Sequence, residues 1–137
     1  MKLLTHKDED QHYTYYLRGD KEVRHGLFRC WFSNGELRSE FNYRDGKAHG
    51  TSKGWYPNGQ LDYDGTYKDG ELHGHHKGWF EDGKKRFCHY RISGCFHGLC
   101  RTWDSDGNLI SSSYYREDVA YKSKQEFEDS LIADKAW

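Results

Sequence analysis

Thr51-Ser52-Lys53-Gly54-Trp55-Tyr56-Pro57-Asn58-Gly59-Gln60-Leu61-Asp62-Tyr63-Asp64-Gly65-Thr66-Tyr67-Lys68-Asp69-Gly70-Glu71-Leu72-His73-Gly74 is one period of a tandem repeat. Its His73-Gly74 pair recurs as His25-Gly26, His49-Gly50 and His97-Gly98, each 24 residues from the next. Trp55 recurs in the same register as Trp31, Trp79 and Trp103, and Asn58-Gly59 as Asn34-Gly35, Asp82-Gly83 and Asp106-Gly107. Tyr67 recurs as Tyr43 and Tyr115, with Arg91 standing in once. Three independent columns on one period outrank any reading of single elements. The units are residues 27–50, 51–74, 75–98 and 99–122, preceded by a degenerate half-unit at about 11–26.

Each unit reads as a β-hairpin. In the second, Thr51 to Tyr56 forms one strand, Pro57-Asn58-Gly59 a turn, Gln60 to Lys68 the return strand, and Asp69-Gly70 the turn into the next unit. Asn-Gly and Asp-Gly accept positive φ at little steric cost. The period is too short for a crossover helix, so the strands must be antiparallel. The expectation is an all-β, elongated, single-layer antiparallel meander of about nine or ten strands. Pro57 suits the second position of a type I turn, which favours a three-residue loop with glycine left-handed. Such a loop puts Trp31, Trp55, Trp79 and Trp103 beside Leu37, Leu61 and Leu109, with Tyr43, Tyr67 and Tyr115 further along the same core face. A one-residue slip would invert that face.

The ends differ from the repeat, as terminal units must. After residue 122, Ser123-Lys124-Gln125-Glu126 is a capping-box signature. Phe127, Leu131 and Trp137 follow at helix-like spacing with Ile132 alongside, which predicts a short helical cap within residues 123–137, helical over 124–135. Such a cap would cover a sheet edge that otherwise invites edge-to-edge pairing.

Composition narrows the function. Aromatics are 17 % of the chain against 34 % hydrophobic residues in all, so burial rests on a few large rings. Net charge is −1 with the signs interspersed, which argues against a nucleic-acid partner and weakens a membrane one. The longest basic run, Lys84-Lys85-Arg86, reads as a solvated turn flank. Cys30, Cys88, Cys95 and Cys100 form no dense framework, and the N-terminal residues carry no apolar stretch of signal-peptide length. Reduced thiols in a cytoplasmic protein are the expectation.

The stretch from Tyr63 to Gly74 resembles the MORN repeat (membrane occupation and recognition nexus), roughly Y-x-G-x-W/Y-x-x-G-x-x-H-G. The preceding Gly54-Trp55-Tyr56-Pro57-Asn58-Gly59-Gln60-Leu61 is similar to the bacterial variant of that repeat, found in antitoxin-component-like proteins. The resemblance covers about residues 16–122. Unit three departs from it with Lys85 for Leu, Arg91 for Tyr and Ser93-Gly94 for Asp-Gly, and unit four with Ser113 at the inner glycine column. The resemblance implies an extended twisted sheet used for protein contacts, with lipid contacts proposed for some members. It carries over no catalytic residue.

No enzyme, cofactor or metal is expected from the residues themselves. A metal ladder on the histidine column fails on distance. Successive hairpins lie roughly 10 Å apart, whereas zinc ligands sit about 2 Å from their ion. Cys88, His89, Cys95, His97 and Cys100 cluster locally, but Cys95-x-His97-x-x-Cys100 matches no standard zinc spacing. Cys88 and His89 are strand neighbours and point to opposite faces, so they form no nucleophile–base pair. Glu36, Glu40, Asp62 and Asp64 alternate with basic residues as cross-strand surface pairs. No glycine-rich loop opens a helix, which removes a nucleotide fold.

What remains is a non-enzymatic interaction module binding a protein partner, its identity unspecified, on an exposed aromatic face. An antitoxin- or immunity-like role is one form of it, and a structural or membrane-surface scaffold is the alternative. Rows of Trp, Tyr and Phe beside Arg match the composition of binding hot spots. Unit three breaks the repeat without breaking its length, so His75, His76, Phe80, Lys85, Arg86, Phe87 and Tyr90 are the candidate partner-binding residues.

Overall fold

The computed structural model describes residues 1–9 and 11–135, residues 132–135 by their backbone alone. It is one open antiparallel sheet with one helix. The strands are β1 (Lys2–Lys7), β2 (His12–Arg18), β3 (Val23–Trp31), β4 (Leu37–Arg44), β5 (Lys47–Trp55), β6 (Leu61–Lys68), β7 (Glu71–Trp79) and β8 (Lys85–Ile92). They continue as β9 (Cys95–Phe96), β10 (Gly98–Trp103), β11 (Leu109–Arg116) and β12 (Val119–Tyr121), and α1 (Lys124–Lys135) follows. Each strand pairs with its sequence neighbour, while β9 and β10 both pair with β8 as two pieces of one strand broken at His97. The twelve strands exceed the expected nine or ten. Besides that break, β1 adds a strand on the outer side of β2, and Val119–Tyr121 forms a short last strand against β11. In the first three hairpins the first strand starts upstream of its His-Gly pair and runs through it.

Two kinds of turn alternate. Inside each hairpin the loop has three residues, as Pro57 implies. Gly59 N–H donates to Tyr56 C=O at 2.9 Å, Tyr56 N–H donates to Gln60 C=O at 2.8 Å, and Gly59 has φ of +86°. The same pair of bonds closes the loops at Phe32–Glu36, Phe80–Lys84 and Asp104–Asn108. Between hairpins the turn has two residues, both with positive φ: Asp45-Gly46, Asp69-Gly70, Ser93-Gly94 and Glu117-Asp118. That is the type I′ geometry, whose twist matches that of the flanking strands.

The His-Gly column stitches one repeat to the next. Gly26, Gly50, Gly74 and Gly98 all have positive φ, and at Gly50 the ladder shifts: Phe41 faces Ser52, but Tyr43 faces Ala48. The histidine beside the glycine caps the following connecting turn through Nδ1. It accepts the backbone N–H of Asp45 at 3.2 Å (His25), of Asp69 at 3.3 Å (His49) and of Ser93 at 3.1 Å (His73). A turn N–H left without a partner would carry a desolvation cost.

Each hairpin also holds one extra residue on its return strand. Trp55 faces Leu61, but Gly54 faces Tyr63, so Asp62 is surplus to the ladder. Arg38, Arg86 and Ile110 occupy the same place in the other hairpins. This β-bulge breaks the alternation of faces. The Trp–Leu pairs therefore lie on one face, while Tyr43, Tyr67 and Tyr115 lie on the other. The single core face expected from the sequence is corrected accordingly.

Candidate docking surface

The face away from the tryptophans carries a continuous ladder of rings. Tyr13 stacks on Phe28 at 5.8 Å between centroids, Phe28 meets Phe41 at 6.4 Å, and Phe41 meets Tyr63 at 6.2 Å. The row continues through His76, Phe87, His89 and Phe96 to Tyr115. Large residues sit over small ones. A Cβ on Gly54 would run into the Tyr63 ring, and one on Gly78 into the Phe87 ring. The fully buried residues among those described are Ser52 (1 % exposed), Cys100 (5 %), Gly54, Gly65 and Gly78, and strand alternation places all five on this ring face. This face is the molecule's own core. Burial, with Arg91 and His76 adding to it, pushes the His89 imidazole down to about 4, and burial lowers His76 as well. Both rings are therefore neutral near pH 7, and Arg91 supplies the local charge with its guanidinium 3.8 Å over Phe96.

The opposite face carries Trp31, Trp55, Trp79 and Trp103, none fully buried. Trp31 faces Leu37 across the hairpin and stacks on His12 at 4.5 Å. Along the middle of this face runs a row of charges, one per strand: Arg29, Glu40, Lys53, Asp64 and Lys77 face one another in turn. Arg29 Nε and Glu40 close to 2.7 Å.

The seven candidate residues of unit three divide among these regions. His76 and Phe87 belong to the ring ladder, 4.9 Å apart. His75 and Tyr90 pair on the tryptophan face at 5.0 Å, and Lys85 lies there opposite Trp79. Phe80 and Arg86 sit together at the hairpin tip, the guanidinium 5.8 Å over the ring. No single surface presents all seven.

Cys88 and His89 point to opposite faces, Cys88 facing Lys77 and Arg101 while His89 faces His76. The cysteines are free thiols. Burial raises Cys100, and a hydrogen bond with Asp118 raises Cys95, so neither thiol is activated as a nucleophile. Among the described residues no three His, Cys, Asp or Glu side chains converge as metal ligands, and no helix is long and apolar enough to cross a membrane.

α1 packs on the tryptophan face at the C-terminal end. Phe127 lies 5.5 Å from His97, 5.8 Å from Tyr114 and 6.0 Å from Tyr121. Leu131 lines a cleft beside Cys95, His97 and Arg116. Trp137 and the side chain of Ile132, which the spacing assigned to the helix, lie outside the described residues. The cap is reciprocal: Glu126 N–H donates to Ser123 Oγ at 3.2 Å, and the Glu126 carboxylate accepts Lys122 N–H at 3.1 Å.

A family model described as MORN repeat variant matches residues 24–45, 48–69 and 96–117. No curated protein matches the chain. The matched segments fall on the first, second and fourth hairpins with their connecting turns. The unmatched hairpin, β7–β8, is the one carrying Lys85, Arg91 and Ser93-Gly94.

Proposed function

This is a MORN-repeat chain carrying the variant form of the repeat, and on that premise we propose that it is a non-enzymatic module that docks a protein partner on its tryptophan face. MORN repeats make a repeat scaffold or binding module, and an antitoxin- or immunity-like role is the form that the sequence resemblance suggests. The observation that carries the reading is the asymmetry of burial. Every fully buried residue among those described lies on the ring face, while four tryptophans and a row of charges stay accessible on the other. Tryptophan, tyrosine and arginine are the residues that dominate binding energy at interfaces. A net charge of −1 offers little to anionic lipid.

The test is an affinity pull-down from the native host with the whole chain as bait. Trp55→Ala and Tyr90→Ala, on the tryptophan face, are expected to weaken retention of a specific partner about tenfold or more. Arg24→Ala, which removes an exposed guanidinium 5.2 Å over Phe28 on the ring face, is expected to leave it unchanged. Loss with Arg24→Ala alone would move docking to the ring face. Retention of anionic vesicles and of no protein would replace docking with a membrane scaffold.

A further inference from the structure

The charge row on the tryptophan face loses its acids in the last two hairpins. In the first two hairpins every cation has an acid across the ladder, Glu40 and then Asp64. In the third hairpin that place is Cys88, and in the fourth Ser112. Lys77 thus faces Asp64 on one side and Cys88 on the other. Arg101 faces Cys88 and Ser112 and has no acid on either side. A third cation, Lys85, occupies the column held elsewhere by Leu37, Leu61 and Leu109. Its ammonium lies 5.8 Å over the Trp103 ring.

These three cations share a cleft of about 270 Å³ with the indoles of Trp79 and Trp103, and no carboxylate is among its lining residues. Among the described residues none forms an ion pair with Lys77, Lys85 or Arg101. In a chain of net charge −1, this is a local concentration of positive charge between two apolar walls. The volume lies just below the lower end of the range for cofactor and drug-sized pockets, roughly 300–1,000 Å³. It suits one or two side chains.

We propose that this cleft seats an acidic segment of the protein partner, a carboxylate against Lys77, Lys85 and Arg101 with a neighbouring apolar side chain between Trp79 and Trp103. The proposal rests on the docking function above and names the chemistry of the partner at one place. Arg101 presents the planar fork that takes a carboxylate in two hydrogen bonds. The indoles exclude water from that pair and so strengthen it.

The test titrates the whole chain, labelled with ¹⁵N, with acetyl-Glu-Leu-Glu-Leu-Glu-amide and follows the four repeat indole N–H signals. Saturable shifts are expected at Trp79 and Trp103 and not at Trp31 or Trp55, weakening as salt rises. Arg101→Gln should weaken binding about tenfold. Cys88→Asp restores the acid that the first two hairpins carry, so the fold keeps its pattern while the peptide is expected to lose its shifts. Equal shifts with the Gln-for-Glu peptide, or undiminished binding to Cys88→Asp, would overturn the proposal. Inorganic phosphate giving the same shifts at the same concentration would make this a free-anion site and overturn it equally. A host partner retained in full by Cys88→Asp would sink this cleft and leave docking standing. Failure to retain any partner, with the peptide shifts intact, would do the reverse.

Discussion

At the scale of single residues, the ring face is built by compensation across the ladder. Gly54 faces Tyr63 and Gly78 faces Phe87 in the two inner hairpins, while Cys30 faces Ser39 and Thr102 faces Ser111 in the outer ones. In this column a ring on one strand is matched by the absence of a side chain on the other, and where the ring is missing a small side chain returns. The glycines at 54 and 78 are therefore there for space, since neither has positive φ. Gly54→Ala should cost about 1–3 kcal/mol, the range for overpacking. In a Tyr63→Ser background the same change should be neutral or slightly stabilising, because alanine is the better strand residue once the ring is gone. Urea unfolding of the two single variants and the double would give the coupling. Additive losses would show that the Tyr63 ring does not set the size of residue 54.

At the scale of elements, legibility followed the chemistry that each feature needs. The loops were readable because left-handed φ selects Gly, Asn and Asp, and Pro57 identified the three-residue form. The Trp–Leu pairs followed from that loop. The ring face was not readable, because the bulge that flips it falls on Arg38, Asp62, Arg86 and Ile110, two bases, an acid and an aliphatic residue that share no common chemistry. A bulge needs only surplus length, so no side chain announces it. Strand β1 was missed because Leu3-Leu4 interrupts its alternation and the 24-residue period does not reach it. The candidate site was half legible: unit three departed visibly from the repeat, but Trp103, Lys77 and Arg101, which build its cleft, sit in columns that look regular in sequence. The helix was legible through its capping box. Since Phe127 is half-buried against three rings, Phe127→Ala should cost about 1.5–2.5 kcal/mol, roughly half of what emptying a fully buried site costs. Thermal melting of the variant would measure it, and an unchanged melting temperature would mean that α1 adds nothing to the sheet.

At the scale of the whole molecule, each hairpin touches only its neighbours, so stability should approximate a sum of hairpin and junction terms. The ring face adds a condition to that sum. Across one column the pairs run Phe28–Phe41, Ser52–Gly65, His76–His89, Cys100–Ser113. Ring pairs thus alternate with small pairs, and Tyr63 lies in the gap left by the second, touching Phe41 on one side and His76 on the other. Excision of residues 47–70 removes one period and joins Gly46 to Glu71, which recreates the native Asp-Gly-Glu turn of Asp69-Gly70-Glu71. Backbone register survives, so the shortened chain should remain β-rich and soluble. Its ring face does not survive unchanged, because two ring pairs now become neighbours with no gap between them. Overpacking of that kind costs about 1–3 kcal/mol beyond the lost hairpin. Excision of residues 47–94 removes two periods and sets Phe28–Phe41 beside Cys100–Ser113, keeping the alternation. The single excision should therefore cost more than half as much as the double one, by urea unfolding at matched conditions. If the two losses stand in the ratio of one to two, the junctions are interchangeable and the alternation carries no energy.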